Sequence, residues 1–177
     1  QFAGAFLAGA VLYGLLAPTI SAYELAHGIV RGTEASIDTA RMFGEFYPNP
    51  GDSMAVVSMP LAMVAEGFGT FLLVMFIFAL TEGCNVGRPS DTMAPVFIGL
   101  SVSSIICLIA PLTQAGLNPA RDFGPRLVSW LAGWGEVAFP DACCGGFFFV
   151  YILAPILGGA VAAYALTYVI EPLIKQG

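Results

Sequence analysis

Charge is what these 177 residues have least of: 12 Asp and Glu, 6 Lys and Arg and a single His, with only 10% of the chain charged. Soluble domains carry roughly a quarter charged residues, so water is not the solvent this chain is built for. So few cations, under a formal net charge of −6, also leave no basic face for nucleic acid. Cysteine is sparse as well. Cys84, Cys107, Cys143 and Cys144 form no C-x-x-C pair and stand near only one His, which gives neither a zinc site nor a disulfide framework. A bond between the adjacent Cys143 and Cys144 would be strained, so they read as loop thiols. No Ser/His/Asp, Cys/His or paired-carboxylate set stands at usable spacing, so no catalytic residue, metal or cofactor is expected and an enzyme is the least favoured class. The chain opens at Gln1 without a basic n-region or a cleavage pattern, which reads as a start inside a longer sequence.

What the chain does have is apolar length, 58% of it hydrophobic. Crossing a hydrocarbon core of about 30 Å takes roughly 20 helical residues. Four segments meet that requirement: Phe2 to Ala22, Ala55 to Leu80, Met93 to Pro111 and Phe147 to Ile170. Small residues are spread through them, Gly4, Ala8, Gly9 and Gly14 in the first and Gly158, Gly159 and Ala160 in the last, as close helix contact in lipid requires. The polar stretches Glu24 to Asp52 and Glu82 to Asp91 are loops by turn chemistry, and neither is long enough for a second domain. Residues 1–177 therefore read as one membrane domain. The basic residues Arg31, Arg41, Arg88, Arg121, Arg126 and Lys175 are too evenly spread to orient it.

The segment from Pro111 to Trp134 departs from the pattern of simple spans. Asn118 is a good N-cap and Pro119 a good first helical residue, so a helix is expected from there to about Trp130, roughly 20 Å long and too short to cross. A half-helix that enters and leaves on one side follows. Irregular backbone at membrane depth survives only inside protein or beside a wet cavity, so Gln114 to Leu117, expected as extended chain, would turn its carbonyls to such a cavity. Asn118 adds amide donors, the helix N-terminus adds a positive dipole end, and Arg121 adds a permanent charge with five N–H donors. Acceptors beside donors in a field hostile to cations and protons follow the electrostatic logic of a pore for neutral solutes. Glu66, an ionisable group within the second span, requires a partner.

The run Gly116-Leu117-Asn118-Pro119-Ala120-Arg121-Asp122-Phe123-Gly124-Pro125-Arg126-Leu127, with Leu131 to Gly135 after it, resembles the second Asn-Pro-Ala motif of the aquaporin superfamily in its aquaglyceroporin form. The likeness extends along the chain. Gln1 to Gly14 resembles the family's third membrane helix, Phe43 to Pro50 its extracellular loop, Ala65 to Leu80 its fourth helix, Met93 to Pro111 its fifth and Phe147 to Pro172 its sixth. Its first two helices and first half-helix find no match. The resemblance implies an all-α membrane fold, an aquaporin-like bundle fragment of four transmembrane helices plus one re-entrant half-helix.

By that resemblance, Asn118, Pro119 and Ala120 form the central motif, Arg121 belongs to the outer selectivity filter, and the carbonyls of Gln114, Ala115 and Gly116 accept from the solute. Glu66 would brace the loop by accepting its backbone N–H groups. Asp122, Arg126, Pro155 and Ile156 would mark the glycerol-type branch. Two filter positions depart from the best-known glycerol facilitators: Ile106 stands where Gly is usual and narrows the bore, and Ala115 stands where an aromatic is usual and widens it. The implied protein is a passive, multi-pass channel in a cell or cytoplasmic membrane, a homotetramer at full length, passing water, glycerol or other small neutral solutes. A secondary transporter with broken helices and a non-conducting remnant are the alternatives. Outside the motif, Glu24 and His27 read as solvated interface groups, Cys107 as a packing residue, and Trp130 and Trp134 as members of an interfacial belt.

Overall fold

The computed structural model describes residues 1–51, 54, 56–141 and 144–174. Asp52, Ala55 (the expected start of the second run), Cys143 and Lys175 lie outside the described residues. Among the described residues the chain is helical, without strands. Helix α1 is Phe2–His27, α2 the single turn Ile37–Ala40, α3 Met59–Thr81, α4 Ala94–Thr113 and α5 Pro119–Ser129. The last, α6, is Phe148–Ile174. Helices α1, α3, α4 and α6 are each long and apolar enough to cross a membrane, whereas α5, at 11 residues, is too short to do so.

The spans fall where the apolar runs stand, with ends set by caps. α1 continues five residues past the run because Gly28 stops it, at φ 65, its N–H returning to the last turn. α3 and α4 each carry proline in the first turn, where its missing N–H costs nothing. α6 opens as a π-helical turn, Phe148–Leu153, runs as α-helix over Ala154–Ala165, and widens again over Leu166–Ile170. Pro155 follows the first widened turn, which accommodates the hydrogen bond a proline cannot donate.

Close crossings hold the bundle together. α1 packs on α5 at Gly9, where a Cβ would lie 2.7 Å from the Cα of Pro125, and at Gly124, where one would lie 2.7 Å from the backbone of Phe6. α3 packs on α6 where Gly158 sits against the backbone of Gly67. Gly4 and Gly14 meet nothing, so only part of the small-residue pattern is helix contact within this chain. One apolar cluster takes in the linker between α4 and α5, joining its Ala115 and Leu117 to Ala65, Ile105 and Ile109, and a second is formed by Val57, Ala62, Val150 and Tyr151. A third, Ile20, Ala40, Phe43, Phe46, Trp134 and Ala138, lies under the loop between α1 and α3. Only 11% of the most apolar window of α1 and 17% of that of α4 is buried, so both leave most of their surface to lipid or to further helices.

Candidate functional site

The site is built around the linker that joins α4 to α5. Instead of the expected extended chain, Gln114, Ala115 and Leu117 adopt left-handed backbone, with φ of 62, 65 and 55. Non-glycine residues there cost about 1–3 kcal/mol each and persist only when their surroundings dictate them. The surroundings do so from two helices. Glu66 of α3, fully buried, accepts from the Thr113 hydroxyl at 2.6 Å, the Gly116 N–H at 2.9 Å and the Leu117 N–H at 2.7 Å. Thr70, one turn on, donates to the Leu117 carbonyl at 3.0 Å, and Tyr151 of α6 donates to the Thr113 carbonyl at 2.9 Å. The buried carboxylate that the sequence leaves in search of a partner thus has three donors.

The winding changes which carbonyls are open. The Gly116 carbonyl accepts from Asn118 N–H at 2.6 Å and that of Leu117 is taken by Thr70. Among the described residues no hydrogen bond reaches the carbonyls of Gln114 and Ala115. The side chain of Ala115 is buried against Ala65, Ile105, Ile109 and Leu117. Asn118 then caps α5 with extended backbone, its Oδ1 accepting from Ala120 N–H at 2.9 Å and Arg121 N–H at 3.3 Å. Its Nδ2 is turned outward, with only Gln1 Oε1 at 3.4 Å. Pro119 is the first helical residue. On α4, Ile106 is 40% exposed beside the exposed Cys107.

Arg121 leaves the first turn of α5 with its side chain 52% exposed and forms an ion pair with the carboxylate of Glu45, on the loop between α1 and α3. Both line a cleft of about 440 Å³ floored by Ala5, Ala8, Gly9 and Leu12 of α1. Burial pushes the Glu45 carboxyl above the ordinary range, and the nearby Arg121 guanidinium only partly offsets that rise. Nothing in the local sequence marks Glu45 out. Its one signal is that it is the acidic residue within the aromatic stretch Phe43 to Tyr47.

Directly behind Arg121, Asp122 and Arg126 form a fully buried pair at 2.7 Å. Together they grip the backbone of Glu45: its N–H donates to Asp122 Oδ1 at 2.7 Å, and its carbonyl accepts from Arg126 Nη2 at 2.6 Å. Arg126 also donates to the Ala138 carbonyl at 2.5 Å and lies over the rings of Phe46, Phe147 and Tyr151 at 5.0–5.5 Å. The Gln114 side chain accepts from Phe46 N–H at 2.9 Å. The loop is therefore fastened to the linker and to α5 by its main chain. Pro155 is fully buried, whereas Ile156 beside it is 55% exposed.

A second polar cluster revises two expectations. Glu24 is buried rather than solvated, held by Arg31 at 2.9 Å and by the Thr39 hydroxyl at 2.9 Å. Trp134 does not join an interfacial belt: it is fully buried, its Nε1–H donates to Thr39 at 3.0 Å and Arg31 lies 4.1 Å over its ring. Trp130 is exposed, and His27 is exposed and stacked on Tyr23. Among the described residues no group of three His, Cys, Asp or Glu could hold a metal ion.

A sequence profile described as "Major intrinsic protein" matches residues 1–168. The glycerol uptake facilitator protein of Escherichia coli (strain K12) is 42% identical over 165 residues, covering 93% of this chain and 56% of that protein. The propanediol uptake facilitator of Citrobacter freundii is 39% identical over 170 residues, covering 96% of this chain and 61% of that one. The chain thus spans little more than half the length of these relatives. Among solved structures, the aquaglyceroporin from Plasmodium falciparum superposes with a TM-score of 0.75 at 24% identity, over 100% of this chain and 64% of that one.

Proposed function

The chain belongs to the major intrinsic protein family, an integral membrane family of channels rather than enzymes, and from that premise we propose that it forms one half of the wall of a passive channel for water and small uncharged polyols such as glycerol. In this reading residues 1–177 are a single membrane domain, the second half of the pore fold with one helix before it. The observation that carries it is the junction at Asn118, where a half-helix starts against a left-handed linker. The open carbonyls of Gln114 and Ala115 accept from solute hydroxyls. The outward Nδ2 of Asn118 donates to solute oxygens, and Pro119 and Ala120 hold that asparagine at the helix tip. The half-helix dipole and the Arg121 guanidinium raise the barrier to cations and hydrated protons, while a neutral hydroxylated solute exchanges its water for these partners.

Each remaining residue has a place in the same reading. Glu66 braces the linker, and Gly116 lets it pass Tyr151, where a Cβ would lie 2.7 Å from the ring. Ile106 flanks the lumen on α4, and Ala115 leaves room where its own small side chain packs away. Asp122 and Arg126, with Pro155 and Ile156 on α6, are features of the glycerol-type branch. The complete pore needs a second wall, and four such pores form a homotetramer in the bilayer. Support comes from the glycerol and propanediol uptake facilitators to which the chain is similar.

The test is stopped-flow light scattering of vesicles holding these residues together with a matching first half of the pore. Water and glycerol flux well above empty vesicles, non-saturating and indifferent to ion gradients, is expected. Saturable, ion-driven uptake would replace the channel with a transporter, and absence of flux would refute both.

A further inference from the structure

Glu45 has a geometry that bracing alone does not explain. Its backbone is already held at both ends, the N–H by Asp122 and the carbonyl by Arg126, so its side chain is not needed to fix the loop. That side chain is almost entirely buried, yet it is spent on Arg121, the one cation of α5 that stands open to the cleft. Arg126, the other cation of α5, is fully buried against Asp122. Arg41, on the loop that carries Glu45, is paired with Asp38 at 2.7 Å.

We propose that Glu45 governs charge selectivity past Arg121, as a positioning residue that ties the guanidinium to the loop wall and offsets its charge. The inference rests on the channel reading above. With the carboxylate ionised, the open face of α5 carries an ion pair. Without it, the same face carries an uncompensated guanidinium, which lowers the barrier to small anions and raises it further for cations. A glutamine at this position still accepts a hydrogen bond from Arg121 but cancels no charge. An alanine does neither and frees the side chain to move into the cleft. Charge and position are thereby separable.

The same pair makes the pathway responsive to acid. The charged or titratable groups around Glu45 are Arg121, Asp122 and Arg126 on α5, Arg41 on its own loop and Tyr151 on α6. α1 faces it with uncharged residues only. Burial holds the Glu45 carboxyl above the ordinary range, so it takes up its proton early in acidification, while the guanidinium stays charged throughout.

The experiment compares wild type, Glu45→Gln and Glu45→Ala in vesicles holding the complete channel that carries these residues, with nitrate as the anion probe and glycerol as reference. At neutral pH the nitrate-to-glycerol permeability ratio is expected to rise about tenfold in both variants, equivalent to about 1.4 kcal/mol of barrier. On acidification the wild-type ratio rises toward the Glu45→Gln value, which stays flat. An unchanged ratio in Glu45→Gln, or parallel pH profiles for it and wild type, overturns the proposal. Absence of glycerol flux in wild type refutes the channel reading instead. The hold on Arg121 is then read without conduction, by the rate at which phenylglyoxal modifies it in the detergent-solubilised protein. That rate is expected to rise several-fold in Glu45→Ala, and equal rates in wild type and variant overturn the proposal.

Discussion

Replacing Glu66 by leucine removes the acceptor of three donors at once: the Thr113 hydroxyl and the N–H groups of Gly116 and Leu117. A buried donor left without a partner costs about 1–3 kcal/mol, so the three together amount to roughly 3–9 kcal/mol. Burying a leucine returns about 1.5–3 kcal/mol. What remains, up to about 7 kcal/mol, is at its upper end a large part of the roughly 5–15 kcal/mol margin of a folded protein, but the linker has a cheaper escape than unfolding. Gln114, Ala115 and Leu117 are held left-handed against their preference, and relaxing them returns about 1–3 kcal/mol each. The expected outcome is an assembled protein with a lowered melting temperature in detergent and a linker that no longer holds the carbonyls of Gln114 and Ala115 where the proposed function needs them. Glycerol flux per assembled channel, with channel number from quantitative blotting, is expected to fall at least about tenfold, as about 1.4 kcal/mol of lost solute stabilisation gives. Glu66→Gln keeps one acceptor but presents an amide donor to the remaining donors, and falls between wild type and leucine. Normal flux per assembled Glu66→Leu channel would refute the reasoning.

Other substitutions probe the remaining parts. In the proposed channel, Arg121→Ala would widen the pathway and leave the Glu45 carboxylate alone beside it, so glycerol flux and cation or proton leak are expected to rise together; swelling and proton-flux assays that both match wild type would contradict this. Asp122→Asn strips the buried Arg126 of its counter-charge and is expected to destabilise by about 3–5 kcal/mol, read from thermal unfolding in detergent. Gly158→Val drives a side chain into the backbone of Gly67 and is expected to separate α3 from α6, visible as lost proteolytic resistance, whereas the same change at the uncrowded Gly14 has little effect.

What could be read from the residues in advance divides along the range of the interactions. The start of α5 was legible because capping is local: Asn118, Pro119 and the first-turn amides lie within four residues. The four spans were legible because length and apolarity are properties of a continuous run. Glu66 announced its need for a partner through its cost in lipid, although the donors lie 47–51 residues away. Glu45 announced nothing, since a glutamate on a loop is ordinarily solvated and its partner Arg121 is 76 residues on. The left-handed linker ran against the intrinsic preference of Gln, Ala and Leu, and only the groups of α3 and α6 that hold it explain it. The burial of Trp134 is hidden from the local sequence for a related reason: its N–H finds Thr39, 95 residues away, which makes full burial possible.

The carboxylate of Glu66 also sets an order for biogenesis. Its backbone donors come from residues 50 and 51 positions later in the chain. At ordinary synthesis rates they emerge roughly 3–10 s after it. Throughout that interval α3 carries an acid with none of its final partners, a group that lipid tolerates poorly. α3 is apolar enough to enter the bilayer on its own, so the unpartnered acid does not bar its insertion but leaves it carrying a cost of about 2.5–3.5 kcal/mol until the linker arrives. The brace that orders the linker in the finished protein thus also gives α3 a reason to stay beside the segment that follows it until the two have met.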